Sequence, residues 1–328
     1  MIRREFGLNL GVFLKLFKNK KIGDALAYVS ACGVQKVEIA TGGYMGYHHI
    51  NPGQTLQNPN EIKKIRQLVE KYHLQISALS CHGNPLHPDK EISRRHHEDF
   101  MNSILLAKEL GVDTVINFSG CPGDSDESKR PVWVTCAWPP DYFETVEWQW
   151  KEKVRPYWEE MGEFTGKHGI KIAVEPHPGF VVYNSETFWR LRQAAGDHIG
   201  VNFDPSHLFW QGMDPVACIL ELGDQIFHFH AKDTAIHKRN KAINGVLDTK
   251  PREDVLNRSW VFRTVGYGQH VGVWKEIISA LRMINYQGTI SIEHEDSLMS
   301  LEEGFNKAVK FLDELLITDI SGEVYRPG

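Results

Sequence analysis

The chain has 328 residues, 41% of them hydrophobic and 24% charged, and no apolar run reaches the ~18 residues that a membrane-spanning helix needs. A formal net charge of −5 leaves no general basic field for nucleic acid or another polyanion. The length exceeds the usual domain but suits a single α/β barrel of about 250 residues enlarged by insertions, so residues 1–328 are expected to form one domain with a core at 5–315 and a C-terminal tail at 316–328.

The first segment, MIRREFGLNLGVF, is basic and then apolar, but it contains Asn9 and lacks a small-residue cleavage site, which fits a first strand better than a signal peptide. Cys32, Cys81, Cys121, Cys136 and Cys218 are odd in number, scattered and without a C-x-x-C pair, the pattern of reduced thiols in a cytoplasmic protein.

Further along, helix-period segments repeatedly close on glycine and give way to β-rich runs: ACGVQKVEIA, ELGVDTVINF, KHGIKIAVE, GDHIGVNFD and NYQGTISIE. Glycine ends a helix by adopting the left-handed conformation that other residues resist, and a strand can begin a few residues later. Strands are predicted near 6–13, 36–41, 75–82, 114–119, 171–176, 199–204, 226–232 and 289–294. Between them lie amphipathic stretches such as NPNEIKKIRQLVEKYH and SRRHHEDFMNSILLAKEL. Eight such units predict a closed (β/α)8 TIM barrel; the competing doubly wound sheet usually has fewer strands and a G-x-G-x-x-G after the first, which this chain lacks.

Long loops follow the fourth strand (about 120–146) and the seventh (about 234–270). In this fold such loops lie at the active face, so both should border the site.

Four strand ends carry a carboxylate or an imidazole: Glu175 in AVEPHP, Asp204 in VNFDPSH, His230 in FHFHAKD and Glu293 in SIEHED. In a parallel barrel all four converge, and three carboxylates with one imidazole suit a divalent cation, manganese first, with magnesium, cobalt or zinc as alternatives. Taken singly, each acid also reads as a helix cap or salt-bridge partner. Alternation puts His228, His230 and Lys232 on one side of their strand; His228 is expected deeper in the barrel, and Lys232 near a developing oxyanion or a sugar hydroxyl. His207 and His177 are the candidate acid–base groups, since imidazole titrates near neutrality. His82, Asn117, Trp138 and His270 are candidate substrate contacts. Trp133, Trp138, Trp148, Trp150 and Trp158 crowd into or just after the first long loop, suited equally to a sugar or aromatic aglycone and to a subunit interface.

These motifs resemble the xylose isomerase-like barrel superfamily, in particular its sugar phosphate isomerase/epimerase branch. The resemblance implies a metal held by Glu175, Asp204, His230 and Glu293, with His207 touching substrate. Ketohexose 3-epimerases of that branch carry a glutamate and an arginine where this chain has Val181 and Ile236, so its proton-transfer groups must differ. Endonuclease IV-type members need an Asp-x-His after the seventh strand that is absent here. The long seventh loop and SIEHEDSLMS are similar to the large subunits of bacterial C-glycoside deglycosidases, which implies a 3-oxo-glycoside substrate, β-elimination and a small β-sandwich-like partner subunit within a larger oligomer. The alternatives are a keto-sugar or inosose isomerase or epimerase, and a non-catalytic, metal-dependent carbohydrate-binding subunit.

Overall fold

The computed structural model describes residues 7–317. Eight parallel strands close into a barrel: β1 (Asn9–Phe13), β2 (Lys36–Ala40), β3 (Gln75–Ser80), β4 (Thr114–Asn117), β5 (Lys171–Val174), β6 (Ile199–Phe203), β7 (Ile226–Ala231) and β10 (Thr289–Ile292). All eight predicted strands are present, and helices pack around them as a (β/α)8 barrel requires. The start of the predicted first strand and most of the predicted tail lie outside the described residues. Among the described residues no helix is long and apolar enough to cross a membrane.

The strands are buried almost throughout, as expected where helices cover one face and the barrel interior the other. Apolar residues such as Val12, Val37, Val115, Ile172 and Val201 belong to the main core. The interior-facing tier is unusually polar, with Glu38, Ser80, Asn117, Asn202, His228, His230 and Ser291 all buried. Two irregularities in register bear on this tier. The β2–β3 pairing shifts between Val37 and Glu38, and the β6–β7 pairing shifts between Val201 and Asn202.

The loop after β7 is not structureless. It contains an antiparallel pair, β8 (Asp233–Ile236) with β9 (Trp260–Arg263), separated by a helix at Lys238–Asn244. Asp233 anchors the return of this insertion: its carboxylate accepts from the backbone N–H groups of Thr234, Gly266, Gly268 and Gln269 and from Trp274 Nε1. Gly268 is needed there because a Cβ would lie 2.6 Å from the Thr234 backbone.

Candidate metal centre and active site

Glu175, Asp204, His230 and Glu293 stand at the C-terminal ends of β5, β6, β7 and β10, which are consecutive neighbours around the barrel. Parallel pairing therefore delivers their side chains to one spot. His230 Nδ1 lies 3.1 Å from Glu175 Oε2 and 3.2 Å from Glu293 Oε2, and Asp204, His230 and Glu293 each offer a donor atom within 4.8 Å of one another. Asp204 shows how the two readings of such an acid coexist. Its Oδ1 caps the helix Pro205–Gln211 through Ser206 N at 2.9 Å, while its buried Oδ2 faces the cluster, with the Lys232 ammonium at 3.0 Å and His207 Nε2 at 3.2 Å.

The donor set fits a divalent cation. Asp204, His230 and Glu293 offer donor atoms within 4.8 Å of one another, and Glu175 Oε2 reaches the same imidazole from the other side at 3.1 Å. The acids also have a cationic neighbour. The Lys232 ammonium lies 3.0 Å from both Asp204 Oδ2 and Glu293 Oε2 and 3.5 Å from Glu295. Burial opposes its charge, yet Asp204, Glu293 and Glu295 together hold the Lys232 pKa well above the usual lysine range. Burial likewise opposes ionisation of Glu175, but His82, His207 and His230 pull its pKa well down.

Two histidines at the edge of this cluster are in van der Waals contact, with ring centroids 4.0 Å apart. Their environments push them in opposite directions. Burial, reinforced by the charge of its neighbour His207, lowers the His177 pKa to about 3. Burial also works against a charged His207, but the Asp204 carboxylate 3.2 Å away and Glu175 at 3.4 Å outweigh it and raise the pKa. Neighbouring titratable groups whose pKa values are driven apart by environment are the arrangement that acid–base chemistry needs.

Beyond the histidines lies a cavity of about 390 Å³. His177 and His207 form one end, and Trp133, Trp210, Trp260 and Phe262 supply aromatic surface. Trp210 and Trp260 stack at 4.6 Å, and Phe262 meets the edge of His207 at 5.4 Å. Trp260 and Phe262 come from β9, so the insertion after β7 builds this wall.

The remaining predicted residues fall in different places. His82 is buried inside the cluster, with Nε2 3.0 Å from Glu175 Oε2 and Nδ1 2.7 Å from Ser80 Oγ. Asn117 serves the backbone: its Oδ1 accepts from Gly83 N and Phe118 N. Trp138 is 75% exposed and does not line the cavity; within its loop Trp133 does. His270 is an exposed residue preceding the helix Val271–Met283, away from the cluster. Trp150 and Trp158 are buried in the core, Trp158 donating to Ser119 O at 2.8 Å. Sequence reasoning missed Glu38, Asn202 and the β9 aromatics. A lone glutamate inside the apolar run KVEIA was the one available signal for Glu38.

A closed parallel barrel with this cluster at its C-terminal mouth defines a family, and residues 26–315 match its model: the chain belongs to the xylose isomerase-like TIM barrel family. It is 38% identical over 296 residues to the uncharacterized protein YfiH of Bacillus subtilis, covering 89% of this chain and 94% of that one. It is 25% identical over 175 residues to an inosose dehydratase of Bacillus anthracis, a match spanning 52% of this chain and 56% of the relative. Among solved structures, the IOLI protein with a bound zinc atom superposes with a TM-score of 0.63 at 17% identity, covering 94% of this chain and 98% of that chain.

Proposed function

We propose that the chain is a divalent-metal-dependent enzyme that enolises an oxo-sugar and completes the reaction by β-elimination, with a 3-oxo-glycoside as substrate. The observation that carries this reading is the contact between His177 and His207, two imidazoles whose surroundings push their pKa values in opposite directions, at the boundary between the acidic cluster and the aromatic cavity. A relative named as a dehydratase supports elimination, and a structural neighbour holding zinc supports a divalent ion.

Glu175, Asp204, His230 and Glu293 would hold the cation, for which manganese is the first choice on oxygen-rich donors. When bound, it would supply Lewis-acid polarisation of the sugar carbonyl and offset the carboxylate charge. The chain's own groups do the rest. His177 accepts the proton from the carbon beside the carbonyl, and Lys232 faces the oxygen on which negative charge develops. The C–H electron pair becomes the new C=C bond as the bond to the anomeric substituent breaks. The departing group leaves with that bond's electrons and takes a proton from His207. The aromatic cavity would receive the departing group, which favours a planar aglycone.

An isomerase or epimerase would share the proton abstraction but return the proton to carbon. Purified protein, alone and with any small subunit that co-purifies, should therefore be given a phenolic 3-oxo-glucoside and Mn²⁺ in D₂O. Release of the phenol supports elimination. Deuterium incorporation or ketose interconversion without release supports isomerisation, and binding without either supports a non-catalytic carbohydrate-binding role.

A further inference from the structure

The polar tier beneath the cluster is built by the two register shifts in the barrel. In the β2–β3 pairing Val37 faces Ile76 but Glu38 faces Ala78, which leaves Ser77 as the extra residue. In the β6–β7 pairing Val201 faces Ile226 but Asn202 faces His228, which leaves Phe227 as the extra residue. Bulges of this kind re-aim side chains and recur beside active sites. Here they put four polar residues into hydrogen-bonding contact across the barrel interior. His228 Nε2 is 3.2 Å from Ser77 Oγ, and His228 Nδ1 is 2.9 Å from Asn202 Oδ1. With its oxygen thus engaged, Asn202 turns its amide nitrogen upward and donates to Glu175 Oε2 at 2.7 Å. Glu38 acts on the adjacent ligand: its fully buried Oε2 lies 2.9 Å from His230 Nε2 and also accepts from Ser291 Oγ at 2.9 Å.

We infer that Glu38 is a positioning residue for the metal centre, an inference that rests on the metal reading of the cluster. It holds the Nε2–H of His230 and so presents Nδ1 to Glu175, Asp204 and Glu293. The His228–Asn202 pair does the same for Glu175 from the other side. A carboxylate behind a ligating imidazole fixes its ring and tautomer and raises its basicity. Glu38 is well placed to do so without binding the ion itself, since His230 stands between it and the acids above. The hydrogen bonds of Glu38 Oε2 thus run to His230 and Ser291.

The test is cobalt binding to the full chain, followed by calorimetry and by the visible d–d spectrum, in wild type and Glu38→Gln. The wild-type protein should take up one Co²⁺ per chain. Glu38→Gln should weaken uptake by roughly 10- to 100-fold and shift the spectrum. Uptake and spectrum unaltered in Glu38→Gln overturn the positioning role alone. Absence of Co²⁺ uptake in wild type overturns the metal reading and the positioning role with it. Should Glu38→Gln fail to fold, histidine ¹⁵N resonances of the Zn²⁺-loaded wild type decide: an Nε2-protonated His230 supports the inference, and metal on Nε2 overturns it.

Discussion

The imidazoles of His177 and His207 touch at 4.0 Å between ring centroids, and they hold their protons differently. His207 has the Asp204 carboxylate at 3.2 Å, which raises its pKa, whereas half-buried His177 bonds the carbonyl of Pro178 and has its pKa lowered to about 3 by burial. In the proposed reaction one ring accepts a proton and the other gives one.

That division predicts unequal effects of substitution. His177→Gln should lower elimination by roughly 10²- to 10⁴-fold, the usual contribution of a positioned base. It should also suppress exchange of the acidic carbon-bound hydrogen with D₂O. His207→Gln should slow phenol release most for poor leaving groups and little for 4-nitrophenol, which departs without a proton. Rates on a graded series of phenolic 3-oxo-glucosides check both; equal losses across the series for His207→Gln would contradict its role as acid.

Folding stability should also register His177. Its folded pKa of about 3 lies below the ordinary imidazole value, so the unfolded chain binds the extra proton. The native state is therefore favoured fully above about pH 6.5 and loses on the order of 1 kcal/mol per pH unit as pH falls towards 3. His177→Gln should flatten that part of the stability curve, measured by urea unfolding between pH 7 and 4. An unchanged slope would show that His177 is already charged in the native state.

Lys232 makes ion pairs with Asp204 and Glu293, two of the acids that would hold the cation. Lys232→Met should leave those carboxylates short of a partner and destabilise the metal-free protein by about 3 kcal/mol or more, the range for breaking a buried pair. Added Mn²⁺ should restore much of that loss, because the ion supplies the missing positive charge. Thermal melts with and without Mn²⁺ check this; a melt insensitive to the ion would separate Lys232 from the metal centre.

The insertion after β7 is tied down by Asp248, whose carboxylate accepts from Ser259 N at 2.7 Å and Lys250 N at 3.0 Å. Burial opposes its ionisation, but these donors bring its pKa to about 2. This contribution is complete above about pH 4 and is lost as pH falls through 2. Asp248→Ala should loosen the loop by about 1–3 kcal/mol, the cost of stranded donors. Hydrogen exchange across residues 245–263 should rise selectively, and the KM for glycosides with bulky aglycones should rise more than kcat falls.

Much of this arrangement was legible in the residues themselves. Glu175, Asp204 and Glu293 each follow a short apolar run, and a parallel barrel places every such strand end at one mouth, so the pattern itself implies convergence. His228 was legible by alternation alone and does lie deeper than His230, bonded to Ser77 and Asn202. Glu38 was hidden because a strand buried on both faces shows no alternation to separate interior from exterior. The aromatic wall was hidden for another reason: β8 and β9 pair Asp233 with Arg263 across a long excursion, without a tight-turn signal to announce a hairpin. Trp138 followed from crowding of tryptophans in sequence, whereas the cavity drew on Trp133 from the same loop, Trp210 from the helix Pro205–Gln211 and Trp260 from β9.

The central claim is that Glu175, Asp204, His230 and Glu293 grip one divalent ion on which turnover depends. Elemental analysis of Mn²⁺-reconstituted protein, wild type against the Glu175→Gln/Glu293→Gln double variant, tests it most directly when coupled to the elimination assay. One manganese per chain and phenol release in wild type, with both lost in the double variant, is the predicted result. Full manganese loading of the double variant, or undiminished phenol release from chelator-stripped wild type, would contradict it.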